Sequence, residues 1–456
     1  MKLIDRAVEL RRLSEAWELA SQGSPQLVLV TGRRRIGKSF LLGHFAEHRR
    51  SVVHVATREA MGQQLASIRE QLNSLVVNSP ELRMENWHQV FAAAAALATN
   101  EPLLFVIDEV PYLHDTDPSW GSVAQAAWDR IAHGPPTKLM IVLTGSSRRV
   151  MESLTGGGGP LYGRATVRLR IDAIAPGHVS AFLPKADATR LIEAYAATGG
   201  YPMHLTAWDD SASTHSNLVR LASAPGSLLY DNANLILAEE FPGGVGYERV
   251  LTSIGMGRRR FGEISSDAGI RIEGPLATLT HIGLVDAERP VGSPRKTRPL
   301  YRITDPYLAY WFHVLNRVRS SIELGLGEAA LRQVEPLWQG HVAQVFEDIA
   351  RRHLAALAAN GDLDGNVIGR WWGSVAGKQI EIDAVGLEGS DCMFACEVKW
   401  QTGPIGGRDI QALAQKANAA FGEQEDRTLV TVARGKLDRR AARPDHQHIT
   451  AEDLLR

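Results

Sequence analysis

Cysteine is nearly absent: the chain has 2, Cys392 and Cys396, in 456 residues. Both stand in one apolar run, which excludes a disulfide framework and points to buried, reduced thiols. Long hydrophobic runs are also missing, and none reaches the roughly 20 residues of a membrane helix. The opening MKLIDRAVELRRL interrupts its apolar residues with charge, so it reads as neither a signal nor a transit peptide. A cytoplasmic protein with no membrane partner is expected. No charge of one sign dominates, since the net charge is -1. Any nucleic-acid contact must therefore come from a local patch and not from the whole molecule. Internal repeats and long low-complexity tracts are lacking too. What remains is an ordinary globular composition, 44% hydrophobic and 22% charged, on a chain too long for one core.

Four apolar runs, QLVLVTG, SVVHVAT, LLFVIDEV and KLMIVLTGS, alternate with helical stretches over residues 1–170. This order predicts a parallel α/β sheet. Residues 171–238, after the glycine run TGGGGPLYGR, read as a helical lid. Residues 239–330 read as helix, turn, helix and wing, followed by a packing helix over YLAYWFHVLNRVRSSIEL. Residues 331–456 read as helix, three strands and helix. The fold class expected is multidomain α/β: a P-loop parallel-sheet domain, a helical lid, a winged helix and a restriction-endonuclease-like tail.

Gly32 to Ser39, GRRRIGKS, fits G-x-x-x-x-G-K-[ST] between an apolar strand and a helix, the context its mechanism needs. Backbone N–H groups of Gly32, Arg35, Ile36, Gly37, Lys38, Ser39 and Phe40 are expected to cradle phosphates. Lys38 would reach the terminal phosphates and Ser39 would ligate magnesium. FVIDEV would deliver Asp108 to the magnesium shell and Glu109 to the attacking water. In TGSS, Ser146 or Ser147 would sense the terminal phosphate. ATP and Mg2+ are the cofactors expected.

Asp5, Arg6, Glu9 and Leu10, with GRRRIGKS, VIDEV, TGSS, PLYGR and TGGYP, together resemble the archaeal-type ATPase family, a branch of STAND-like and AAA+-related P-loop proteins. The resemblance spans about residues 1–235. It implies an adenine contact by Arg6, a trans-acting or sensor role for Arg164, and homo-oligomers formed through the ATPase domain.

Arg295, Lys296 and Arg298 occupy the expected wing tip, with Arg258, Arg259 and Arg260 nearby, where a wing would meet a DNA backbone. In the tail, KQIEIDAV and MFACEVKW place Asp383 at a strand end and Glu397 and Lys399 on one face of the next strand, because side chains repeat every two residues. Glu347 on the preceding helix would complete a shell with Asp383 and Glu397 for Mg2+ or Mn2+, and Lys399 would orient water. The pattern resembles the PD-(D/E)xK nuclease fold, and more closely the domain that follows many archaeal-type ATPases. Gln411, Gln415 and Lys416 lie on the following helix. Two functions compete: an ATP-hydrolysing, DNA-binding protein with a metal-dependent nuclease tail, and an ATP-controlled switch whose tail only binds nucleic acid or a partner.

Overall fold

The computed structural model describes residues 3–76, 83–241, 244–294 and 296–456. They fall into two compact units. The first comprises Met1–Ala173, Tyr201–Met203 and Ile236–Pro242, and the second comprises Ile174–Gly200, His204–Leu235 and Gly243–Arg456.

The first unit is built on strands β1 (Gln26–Thr31), β2 (Ser51–Val55), β3 (Leu103–Asp108), β4 (Leu139–Gly145) and β5 (Val167–Arg170). Their order across the sheet is β2-β3-β4-β1-β5, and every pairing is parallel. The continuous apolar runs LLFVID and LMIVLTG are buried throughout, as central parallel strands covered on both faces must be. The edge strands SVVHV and VRLR are only partly buried. Because β1 lies between β4 and β5 while the chain passes first to β2, the strand order reverses beside β1. A crevice opens at the carboxyl ends of strands at such a reversal.

In the second unit, helices Val245–Gly255, Phe261–Ala268 and Glu273–His281 precede the antiparallel pair β6 (Val285–Glu288) and β7 (Leu300–Ile303). The helix expected through PLATLTHIGLVDAE thus stops at His281, and VDAE is a strand. The single helix expected over YLAYWFHVLNRVRSSIEL is also divided, into Pro306–His313, a 3-10 turn over Leu315–Val318, and Arg319–Glu323. Trp311 donates to the Tyr230 carbonyl at 2.8 Å, and His313 Nδ1 lies 2.8 Å from the Gly255 carbonyl. Anchors from distant segments, invisible to local periodicity, accompany the break.

The tail runs from a long helix, Glu335–Asn360, to β8 (Val367–Val375), β9 (Lys378–Glu388), β10 (Asp391–Lys399), the helix Gly407–Phe421, β11 (Thr428–Ala433) and β12 (His446–Thr450). The sheet order is β12-β11-β10-β9-β8, with β8, β9 and β10 antiparallel and β10, β11 and β12 parallel. Gly386 permits the close packing of β9 on β10, since a Cβ there would stand 2.2 Å from the Phe394 ring. Cys392 and Cys396 are free and buried, as expected from their apolar run. Among the described residues, no helix is long and apolar enough to cross a membrane.

His341, on the long helix, is fully enclosed, and its Nε2 lies 2.9 Å from the Ala196 carbonyl. A carbonyl only accepts, so Nε2 carries a proton. Burial holds its pKa down to about 4 from 6.5. The unfolded chain therefore binds a proton that the folded chain refuses. The contribution is complete above pH 6.5 and is lost as pH falls toward 4, to the extent of about 3 kcal/mol. Chemical denaturation at pH 7 and pH 4.5 should show this loss, and His341→Gln, which keeps a donor for Ala196, should flatten it.

Candidate nucleotide site and tail cluster

The crevice beside β1 is where GRRRIGKS lies. Gly32 approaches the neighbouring backbone so closely that a Cβ would meet the Ile171 carbonyl oxygen at 2.6 Å. Two residues of the loop, Arg35 at φ 63° and Gly37 at φ 96°, are left-handed. Such turns point successive N–H groups into a concavity suited to phosphate oxygens. Ile36 is buried under the loop, whereas Phe40 is 39% exposed.

Lys38 opens the helix Lys38–Ala46, and its Nζ donates to the carbonyls of Gly32 at 2.9 Å and Arg33 at 3.1 Å. Burial lowers its pKa, while Glu109, Asp108 and Glu240 favour its charge. Ser39 Oγ donates to Asp108 Oδ2 at 2.5 Å. Burial raises the Asp108 pKa, Glu109 adds to the rise, and Ser39 and Lys38 oppose it.

Glu109 has φ 59°, a left-handed conformation that a residue with a side chain adopts only under constraint. The turn carries its carboxylate to Ser146, whose backbone N–H donates to Oε2 at 3.0 Å and whose Oγ donates to it at 2.7 Å. Ser146, expected to face phosphate, holds Glu109 in this structure. Ser147 instead caps the helix Arg148–Thr155.

Arg6 is buried and donates to the carbonyls of Asp5, Ile36 and Asp172 at 2.7, 3.2 and 2.9 Å. It fastens the start of the chain to the carbonyls of Ile36 in the phosphate loop and of Asp172. Arg164 is bonded through Nε and Nη2 to both oxygens of Asp129, at 2.8 and 3.0 Å. Its pairing in this structure is a structural one at the surface.

Sequence reasoning missed Glu239 and Glu240. Both lie at the end of the helix Leu228–Glu240. Glu239 ion-pairs with Arg34 and accepts from Tyr112 Oη at 3.3 Å. Glu240 accepts from the Arg148 N–H. No motif links these carboxylates to a loop some two hundred residues earlier. The adjacent acids AEE at the end of an apolar helix were the only signal.

In the tail, Asp383 is mid-strand, not at a strand end as expected, but it marks a divergence. The β9–β10 pairing ends at Cys396↔Ala384, and beyond it the Val398 N–H donates to Asp383 Oδ2 at 2.8 Å. The Asp383 pKa is raised by burial and then by Glu397. That of Glu347 is raised to about 7 by burial and then by Asp383. Asp383 thus acts on Glu347, and Glu397 acts on Asp383. Yet among the described residues no three His, Cys, Asp or Glu side chains form a group able to hold an ion. The expected three-carboxylate shell is not assembled among the described residues, and Lys416 holds Glu397 in an ion pair at 2.7 Å. Lys399 pairs with Asp409 at 2.5 Å.

At the expected wing, Lys296 and Arg298 are exposed on the connection between β6 and β7, and Arg295 lies outside the described residues. Arg258, Arg259 and Arg260 are offset by Asp267, Glu288 and Glu263 at 3.7, 3.7 and 4.0 Å.

Residues 3–207 match a family described as an ATPase domain predominantly from Archaea. Over those residues the chain is similar to ATPase domains. Residues 311–418 match a second family, described as archaeal and bacterial proteins of unknown function. An uncharacterized protein of Methanocaldococcus jannaschii is 26% identical over 422 residues, 90% of each chain. Among solved structures, the Walker-type ATPase of Pyrococcus abyssi superposes with a TM-score of 0.54 at 20% identity, covering 68% of this chain and 96% of that one. That likeness is one of fold. The ORC2 protein of Aeropyrum pernix superposes with a TM-score of 0.42 at 14% identity, over 70% of this chain and 96% of that one, which is too distant to bear on the site.

Proposed function

We propose that the chain hydrolyses ATP and acts on DNA, with a metal-dependent nuclease centre in its tail. The observation that carries the ATPase part is the convergence of Lys38, Ser39, Asp108, Glu109 and Ser146 at the ends of β1, β3 and β4. A hydroxyl and a carboxylate brought to 2.5 Å fit the donor set of a magnesium ion, and Ser39 and Asp108 would hold it. Magnesium supplies charge compensation along the phosphates. Lys38 leaves its loop carbonyls and binds the terminal phosphates. Glu109 leaves Ser146, accepts the proton of the attacking water and orients it in line. Ser146, once released, turns its hydroxyl to the phosphate.

The DNA part rests on the three helices and hairpin of residues 245–303, read as a winged helix, with Lys296 and Arg298 exposed at the connection and Arg295 beside them in sequence. Each phosphate these cations neutralise releases counterion, so affinity must fall steeply with salt. Replacing Arg295, Lys296 and Arg298 together by alanine should weaken duplex binding by about ten-fold or more at low salt and flatten the slope of log K against log salt by up to about 3. An unchanged slope removes this connection from the interface.

The nuclease part is supported by the raised pKa values of Glu347 and Asp383 and by the position of Asp383 where the strands part. Buried carboxylates whose proton affinity is raised suit a divalent cation, and Glu347 and Asp383 would hold it, with Glu397 joining on release from Lys416. Such a cation would stabilise charge developing on a phosphodiester. Lys399, two residues along the strand from Glu397, would orient the attacking water. The pairings Lys416–Glu397 and Lys399–Asp409 favour a second reading, in which the tail only binds nucleic acid or a partner and ATP sets its conformation. Cleavage of DNA by the purified chain, with magnesium or manganese added or withheld, separates the two. A trans role for Arg164 in a homo-oligomer requires it to leave Asp129.

A further inference from the structure

The phosphate loop faces a carboxylate that ATP hydrolysis does not call for. Glu240 is 3% exposed, and its two oxygens stand 3.3 and 3.1 Å from the backbone N of Arg148, the first residue of the helix Arg148–Thr155. That helix already has a side-chain cap, because Ser147 Oγ accepts from the Val150 N–H. Glu240 is therefore a second acceptor at the same helix start, brought there from far along the chain. It also faces cations: its charge favours protonated Lys38, and the guanidinium groups of Arg33 and Arg148 favour its own charge. Burial acts against it and raises its pKa. Next to it, Glu239 is ion-paired with Arg34 of the loop.

The N–H groups of a helix start, a lysine of a phosphate loop and two arginines have the chemistry of a phosphate oxyanion site. Here a carboxylate occupies it. A terminal phosphate brought to Lys38 would meet this charge on a buried carboxylate, where like charges repel strongly. We propose that Glu240 is a built-in competitor for the terminal phosphate of ATP. In this structure it holds the start of Arg148–Thr155 and the charges of Arg33 and Arg148. The terminal phosphate displaces it and takes over these partners. ADP, which lacks that phosphate, leaves Glu240 in place. Glu240 would thereby tell the two nucleotides apart.

The inference rests on the P-loop reading, and the two fail differently. Lys38→Ala should lose ATP binding whether residue 240 is changed or not; retained binding would overturn the P-loop reading itself. Glu240→Gln keeps an acceptor for the Arg148 N–H and removes only the charge. In calorimetric titrations with magnesium, this variant should bind ATP about ten-fold more tightly, a coupling of ordinary size, while its ADP affinity changes less than about two-fold. A folded variant whose ATP affinity is unchanged or weaker overturns the proposal. An equal gain for ATP and ADP overturns it as well, because it places the competition away from the terminal phosphate. A measurement on the unaltered chain covers a variant that does not fold. With a non-hydrolysable ATP analogue bound, a crystal structure should show Glu240 out of hydrogen-bond reach of the Arg148 N–H, and a retained bond overturns the proposal.

Discussion

Lys38→Ala should abolish ATP hydrolysis, and Glu109→Gln should abolish turnover while leaving ATP bound. Lys38 is the buried cation at the phosphate loop, with Nζ 2.9 Å from the Gly32 carbonyl. Its loss removes both binding and stabilisation of the transferred phosphoryl group. Glu109 bonds to Ser146, and the expected effect follows from its proposed role toward the attacking water. Removing a general base costs about 10²- to 10⁴-fold in rate, and a glutamine keeps the shape without taking the proton. Glu109→Gln should therefore hold ATP stoichiometrically in a filter-binding assay and release little phosphate. Ser146→Ala makes the contrast sharper. It frees Glu109 from its hydroxyl partner and removes a phosphate contact, so the rate should fall without trapping. If the Lys38→Ala chain hydrolyses ATP at the unaltered rate, the site is elsewhere.

The second large effect belongs to the tail. Asp383→Ala should eliminate cleavage of DNA with magnesium or manganese, and Lys399→Ala should lower it by about 10²-fold or more, the ordinary weight of a positioned group on a reacting water. Asp383 is the centre of the cluster, accepting from the Val398 N–H and raising the Glu347 pKa. Lys416→Met offers an opposite sign. It releases Glu397 from its ion pair and should tighten metal binding measured by calorimetry with manganese in the absence of nucleotide. Cleavage that survives Asp383→Ala, or a chain that never cleaves while still binding DNA, moves the protein to the switch reading. Lys38→Ala should leave any ATP-independent cleavage intact, since the two centres use different residues.

The parallel sheet was legible because its central strands are continuous apolar runs, and LLFVID and LMIVLTG are buried along their whole length. The phosphate loop was legible because every residue it needs lies within Gly32–Ser39. The tail's succession of helix, strands and helix was legible too, and the i, i+2 spacing of Glu397 and Lys399 follows from the strand alone. Less was visible where distant segments meet. The end of the Pro306–His313 helix comes with contacts to Tyr230 and Gly255. The partners of Arg6, the carbonyls of Ile36 and Asp172, are announced by no motif. Arg164 has a partner in Asp129 that no motif announces.

The sequence by itself determined which candidate residues stand together: Lys38 and Ser39 on one loop, Asp108 and Glu109 at one strand end, Glu397 and Lys399 on one strand. Spacing settles such groups, because backbone geometry places residues a few positions apart without help from the rest of the chain. Only the tertiary structure decided what each faces. It set Glu109 against Ser146, Glu397 against Lys416, and Glu240 beside Lys38 and the start of Arg148–Thr155. The reason is physical. A buried charge takes whatever partner packing brings within reach, and strand order and chain return, not local pattern, decide which partner that is.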